Sequence, residues 1–225
     1  MQAFGIIVET NYKWLDGDIG FDELVTVDLA SNLVLLLLVI FIPIFANGEQ
    51  KNGFIKNIAG QLSNRGMLVA SKLFAAAAQA FIILVIYSLS VAAAGGFYFG
   101  ERFVIGSVTN FLFIFVLHYL LHFSFGAVVL MLTIVLKNSA FSMVFGILCC
   151  CGISALAYNL INIAVRFISG ASEFDISKYM IEMNIRCVQG GLGQSDLFRI
   201  ILVGFGFLAV SAMASAAVMQ KRDIR

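Results

Sequence analysis

Long apolar runs separated by short polar breaks dominate this chain. Five runs reach the length of about 20 residues that a membrane-crossing helix needs: Leu29–Ala46, Leu73–Phe97, Asn110–Leu136, Ala140–Val165 and Leu197–Met219. Lipid cannot satisfy free backbone groups, so each run predicts a helix. The expected fold is all-α, a polytopic transmembrane bundle forming one membrane domain over residues 1–225. The opening MQAFGIIVE is apolar over its first eight residues. At 1.5 Å per residue that covers only about half a bilayer. It has no basic lead and is too short for a signal peptide. It predicts the outer half of a sixth span, partial or shortened; the alternative is a genuine five-span protein.

Composition agrees with the pattern. Apolar residues make up 61% of the 225, charged residues 12%, and the mean hydropathy is +0.98. A soluble domain carries about a quarter charged residues, so lipid must solvate much of this surface. The length leaves no room for a separate soluble catalytic domain. Cys149, Cys150 and Cys151 lie in an apolar run without metal-ligand spacing and read as small packing residues, while Cys187 stands alone in a polar loop.

The net charge of +1 says little, but its distribution gives a direction. The breaks 47–72, 137–139 and 220–225 hold eight basic residues against two acids, a net of +6. The remaining breaks hold six basic residues against eleven acids, a net of −5. Cytoplasmic loops carry the excess of Lys and Arg. The basic side is therefore expected in the cytoplasm of a multi-pass cell-membrane protein, with the carboxy-terminal QKRDIR inside. Six spans would place the amino terminus there as well.

The break from Gly48 to Lys72 holds the strongest local pattern. Phe54, Ile55, Ile58 and Leu62 share one helical face, and Lys51, Asn52, Lys56, Asn57 and Gln61 fall mainly on the other. This predicts a short amphipathic helix in the membrane interface. By chemistry alone it serves equally as a positive-inside anchor or as a docking surface.

A Glu after a span, then a Gly, an amphipathic helix, an Arg and a Ser-Lys opening the next span resembles the permease subunits of type-2 ABC exporters. The residues carrying the resemblance are Glu49, Gly53, Phe54–Leu62, Arg65, Ser71 and Lys72, together with KRDI at 221–224 and a long loop before the last span. The departure is the amino end, where the family has a complete first span. The resemblance implies a six-span fold in which Glu49, Lys51, Gly53, Phe54, Ile55, Ile58, Leu62, Arg65 and Lys72 form the coupling segment. The apolar face would dock in a groove of a separate ATPase dimer. It also implies a second permease copy, identical or related, and no nucleic-acid partner. The cargo would be a peptide, lipid or drug-like molecule, as in bacterial peptide, drug and bacteriocin-immunity permeases. Gly48 and Gly53 have the spacing of a phosphate-binding loop, but Phe54 and Ile55 stand where Lys and Ser/Thr are needed. The chain is thus expected to be no enzyme and to bind no cofactor, with ATP and magnesium on the partner.

His118 and His122 share a helix face inside the third run, where ionisable groups are costly. Tyr119 occupies the place of a zinc protease's Glu, and no further ligand completes a metal set. With Asn110, Asn159, Asn162 and Gln79 they form candidate intramembrane polar sites, either as interhelical contacts or as a polar path. In the loop 166–196, Phe174, Ile176 and Ile185 suit extended structure. Tyr179, Met180 and Met183 suit a short helix on or in the outer leaflet, and the resemblance implies that this loop caps the exit path. Small residues at Ala75–Ala78, Ala80, Ala92–Gly96, Ser211, Ala212 and Ala214–Ala217 predict protein-facing helix sides. Two other readings stay open: a proton-coupled secondary transporter using the histidines, and a non-transporting assembly or anchor subunit.

Overall fold

A computed structural model describes residues 18–51, 66–169, 174–188 and 192–221. The helices, in chain order, are α1 (Phe21–Leu29), α2 (Leu33–Lys51), α3 (Gly66–Phe99), α4 (Val108–Leu136), α5 (Ser139–Cys150), α6 (Ile153–Ser169), α7 (Ile181–Cys187) and α8 (Gln194–Lys221). Short 3-10 turns at Gly100–Arg102 and Ile176–Tyr179 join them, and β1 (Ile19–Gly20) pairs in parallel with β2 (Phe103–Val104). The chain is an all-α bundle. Among the described residues three helices (α3, α4 and α8) are long and apolar enough to cross a membrane, or up to five spans if each bent pair counts as one. These helices fit a multi-pass membrane protein. Exposed Phe74, Ile86, Leu89, Val116, Phe205 and Met213 give them an apolar outer surface suited to lipid.

The fourth expected span, Ala140–Val165, is not one helix. α5 and α6 meet at 72° across Cys151–Gly152. Gly152 takes φ +81, a left-handed conformation that a side chain resists. Its N–H closes α5 onto the Cys149 carbonyl at 3.1 Å, and the Gly152 carbonyl accepts from Ala155 at 3.0 Å to start α6. α5 alone, 12 residues, spans about 18 Å, well short of the hydrocarbon core. α6 is amphipathic. Leu156, Leu160, Ile163 and Phe167 form an exposed apolar stripe, while Tyr158, Asn162 and Arg166 bond to the loop beyond. That geometry suits a helix lying in a membrane interface. The first expected span, Leu29–Ala46, is also bent: α1 and α2 meet at 54° across Ala30–Asn32. The Asn32 carbonyl opens α2 by accepting from Leu36 N at 2.9 Å.

α4 is the central post, packed by α1, α2, α3, α5, α7 and α8. Small residues let it approach its neighbours. Ser124 Oγ donates to the Gly204 carbonyl of α8 at 2.8 Å, where a Cβ on Gly204 would lie 2.8 Å from Leu120. α3 buries the stripe Ala76, Ala80, Leu84, Ser88, Val91 and Gly95, and α8 buries Ser211 and Ser215. Part of the expected small-residue set therefore faces protein, while Ala75, Ala78 and Gln79 instead line an open apolar groove between α2 and α3.

The basic end is closed by specific bonds. Lys137, at φ 55, turns the chain from α4, and Asn138 Oδ1 caps α5 by accepting from Ala140 N at 3.0 Å and Phe141 N at 3.3 Å. Asn47 donates to Ser139 Oγ at 3.1 Å, and buried Lys72 Nζ donates to the Ala46 carbonyl at 3.0 Å. Between these ties α5 lies flat against α2. A Cβ on Gly146 would fall 2.5 and 2.6 Å from the two methyls of Val39. Gly146→Ala is therefore expected to cost about 1–3 kcal/mol by overpacking. Its thermal unfolding temperature in detergent should fall and should recover on adding Val39→Ala; an unchanged temperature would refute this close approach.

Candidate functional site

The acidic end holds a cluster of part-buried polar contacts, built where both bent spans break. Asn32, at the α1–α2 break, donates its side-chain amide to the Cys150 carbonyl at the end of α5. Its Oδ1 accepts from Arg186 Nε of α7 at 3.5 Å. One residue thus ties both breaks to the loop helix. A Cβ on Gly152 would lie 3.7 Å from Arg186 Nη2, so the guanidinium also covers the second break.

α7 enters the bundle rather than lying on it. Ile181, Ile185 and Val188 are buried with Leu35, Val39, Leu117, Leu121, Cys149 and Cys150. Its polar residues Glu182 and Asn184 are buried too, and each makes hydrogen bonds. Glu182, 4% exposed, accepts from the Tyr158 hydroxyl of α6. Asn184, 1% exposed, donates to the Lys178 and Met180 carbonyls at 2.9 and 2.7 Å, which fixes the helix start. α6 holds the approach to α7. Asn162 donates to Asp175 at 2.8 Å and accepts from Ile176 N at 2.8 Å, and Arg166 donates twice to the Phe174 carbonyl. The hydrogen bond from the Ser177 hydroxyl, the largest effect, holds the Asp175 carboxyl below its usual range; desolvation opposes it, and the bonds from Asn162 and Ser177 N add to it. Asp175 therefore stays charged at neutral pH and caps the 3-10 turn through Ser177 N at 3.1 Å.

The expected face of this loop was Tyr179, Met180 and Met183, with Phe174, Ile176 and Ile185 extended. The structure corrects both points. Ile176 lies in a 3-10 turn, Ile185 lies in α7, and the buried face runs through Ile181 and Ile185 while Tyr179 is exposed. Cys149 and Cys150 are buried packing residues, whereas Cys151 and Cys187 are exposed.

His118 and His122 do meet, with ring centroids 5.7 Å apart, both fully buried on α4. His122 Nδ1 lies 2.7 Å from the His118 carbonyl and so carries the hydrogen there. The His118 ring faces the Val188 backbone at the end of α7, and among the described residues neither its nitrogens nor His122 Nε2 makes a hydrogen bond of good geometry. The six expected polar residues do not form one site: Asn162 bonds Asp175 and Gln79 lines the groove between α2 and α3. Asn110, two turns away at about 12 Å along the helix, donates to Asp22 Oδ2 at 3.1 Å. Asn159 is exposed on α6.

Glu49, Lys51, Gly53, Phe54, Ile55, Ile58, Leu62 and Arg65 lie outside the residues described with side chains, as does the opening segment 1–8. Of the coupling segment only Lys72 is placed, bonding the end of α2 to α3. Asn32, Tyr158, Glu182 and Arg186 were not expected as site residues. Their signals were slight: an Asn abutting a long apolar run, and a Glu–Arg pair one helical turn apart. Among the described residues no group of three or more His, Cys, Asp or Glu could hold a metal. The arrangement is mechanical in character, a closure that joins two broken spans through one short helix. No family model matches the chain, and no curated protein or solved structure matches it either.

Proposed function

We propose that this chain is the membrane subunit of a type-2 ABC exporter, a six-span permease of the cell membrane with its basic end and carboxy terminus in the cytoplasm. It works with a second permease copy and a separate ATPase dimer, which carries ATP and magnesium. Substrate, of the peptide, lipid or drug-like class, passes between the two permeases. The observation that supports this reading most is α7, wedged at the acidic end between the two broken spans and held by Asn32 and Tyr158. That position suits the cap on an exit path which the family resemblance implies for the long loop before the last span. The basic segment Gly48–Lys72 supplies the complementary feature, an apolar face suited to a groove on a motor subunit.

The test acts on that face. Phe54→Asp and Ile58→Asp each place a carboxylate in an apolar contact, a change worth about 2 kcal/mol or more at an interface hot spot. Each is expected to reduce co-purification of the ATPase at least tenfold while the permease stays folded. Transport that continues without ATP, and without an ATPase partner, would refute the proposal. One observation favours a second reading: the histidine pair, fully buried inside a membrane-crossing helix, suits a proton-coupled secondary transporter.

A further inference from the structure

At the acidic end α6 leaves the bundle with an apolar face that no described residue covers. α5 runs antiparallel along α2: Asn47 meets Ser139, Val39 faces Gly146, and Asn32 meets the Cys150 carbonyl. The 72° bend at Gly152 therefore turns α6 from the direction of the spans toward the membrane plane. Over its 17 residues α6 packs mainly on α5 and on the turn Ile176–Tyr179. Ile153, Leu156, Leu160, Ile163 and Phe167 recur every three or four residues on one side of the helix and are 49–90% exposed. The ties to the loop leave from the opposite side. Tyr158 donates to Glu182 of α7, and Asn162 bonds Asp175 and Ile176 N. Exposed Arg166 reaches the Phe174 carbonyl there, and exposed Lys178 lies in the tied turn.

Continuity with α5 identifies what covers this face. Phe141, Val144, Phe145 and Leu148 form an exposed apolar stripe along α5, the arm that follows the spans, and the stripe continues past Gly152 into Ile153 and Leu156. The charged groups gather on the other side of α6. A helix divided in this way takes the boundary between headgroups and acyl chains. Its most exposed members are large side chains, not the small residues that let two helices pair closely. We propose that α6 docks this face in the headgroup–acyl boundary of the leaflet at the acidic end, and that the lipid contact holds α7 in place. The coupling follows from the geometry. Lipid fixes how α6 is rotated about its axis, and that rotation sets where Tyr158 and Asn162 meet Glu182 and Asp175. Drawing the face out of lipid turns the tied side away from α7 and loosens the closure. The inference stands apart from the exporter reading, because it needs neither an ATPase nor a second copy.

The test uses the full chain in phosphatidylcholine nanodiscs. Trp14, the one tryptophan, is changed to phenylalanine. Leu160→Trp then reports depth through quenching by lipid brominated high on its acyl chains. Asn159→Trp, on the exposed polar flank, is the control. Quenching should be at least twofold stronger in Leu160→Trp than in Asn159→Trp. Leu160→Trp fluorescence that is open to aqueous acrylamide, or shielded from both quenchers by a second copy, overturns the proposal. Closure is read from maleimide labelling of Cys149 and Cys150 beneath α7, with Cys151 and Cys187 changed to serine. The pair Leu160→Asp, Ile163→Asp alters only exposed positions and leaves the core intact. It should speed labelling at least threefold. Asn162→Ala cuts the tie instead, and should speed labelling as much while leaving the quenching of Leu160→Trp unchanged. Labelling that the two aspartates leave unchanged, in protein whose melting matches the unsubstituted chain, overturns the proposal whatever Asn162→Ala does.

Discussion

Ile185→Asp is expected to release α7 from the acidic end of the bundle. Ile185 is 0% exposed and packs among Leu117, Leu121, Cys149 and Cys150. An aspartate there would be a buried charge without a partner, costing several kcal/mol. A cost of about 3 kcal/mol shifts a docking equilibrium more than a hundredfold. The helix has little else to resist with, since its polar ties are the Glu182–Tyr158 and Arg186–Asn32 bonds. The readout is built into the chain. Cys149 and Cys150, each 7% exposed, lie under α7, whereas Cys151 and Cys187 are open and are first changed to serine. Maleimide labelling of the two remaining thiols should then run at least tenfold faster in Ile185→Asp. Ile185→Val should stay near the starting rate, because it costs only about 0.5–1.5 kcal/mol. Equal rates in all three proteins would show that α7 does not cover the thiols.

The same region shows what hydropathy can and cannot read. Helices α3, α4 and α8 were legible because an unbroken apolar run of that length has one stable answer in lipid. The run from Ala140 to Val165 is just as apolar, yet it bends by 72°. Its clearest local warning is Gly152, and glycines inside a span are ordinary, as Gly146 in the same run shows. What commits the chain to the bend lies elsewhere. Asn32 meets the Cys150 carbonyl across 118 residues, and Glu182 meets Tyr158 across 24. Those pairings also explain the misread face of the loop helix. Glu182 and Asn184 look like solvent-facing residues until their partners are known, and burying them with Ile181 and Ile185 rotates the helix away from the face expected from Tyr179, Met180 and Met183. For the histidines, spacing was enough to place both rings on one face, because i and i+4 are neighbours on any helix. It was not enough to assign Asn110, which pairs instead with Asp22 across 88 residues.

His118→Lys is expected to be the most damaging single change in the middle of the bundle. The position is fully buried on α4, and among the described residues neither ring nitrogen makes a hydrogen bond of good geometry. A lysine would bring a buried ammonium with three donors, more than the neighbouring Val188 backbone can satisfy. The penalty for a lone buried ion is several kcal/mol, comparable to the whole stability of a typical domain. The monodisperse peak in size-exclusion chromatography should fall at least tenfold. The informative companion is the double variant His118→Leu, His122→Phe. Replacing a buried polar pair by apolar groups of similar volume is often neutral or stabilising. The one bond lost, from His122 to the His118 carbonyl, leaves an acceptor that lies inside a continuous helix. The double variant should therefore fold normally and keep transport within about threefold, since the histidines then serve packing alone. Loss of transport in a well-folded double variant would instead make the pair a proton relay. The secondary-transporter reading would then displace the motor-driven one, because an ATP-driven bundle has no need of titratable groups at its centre.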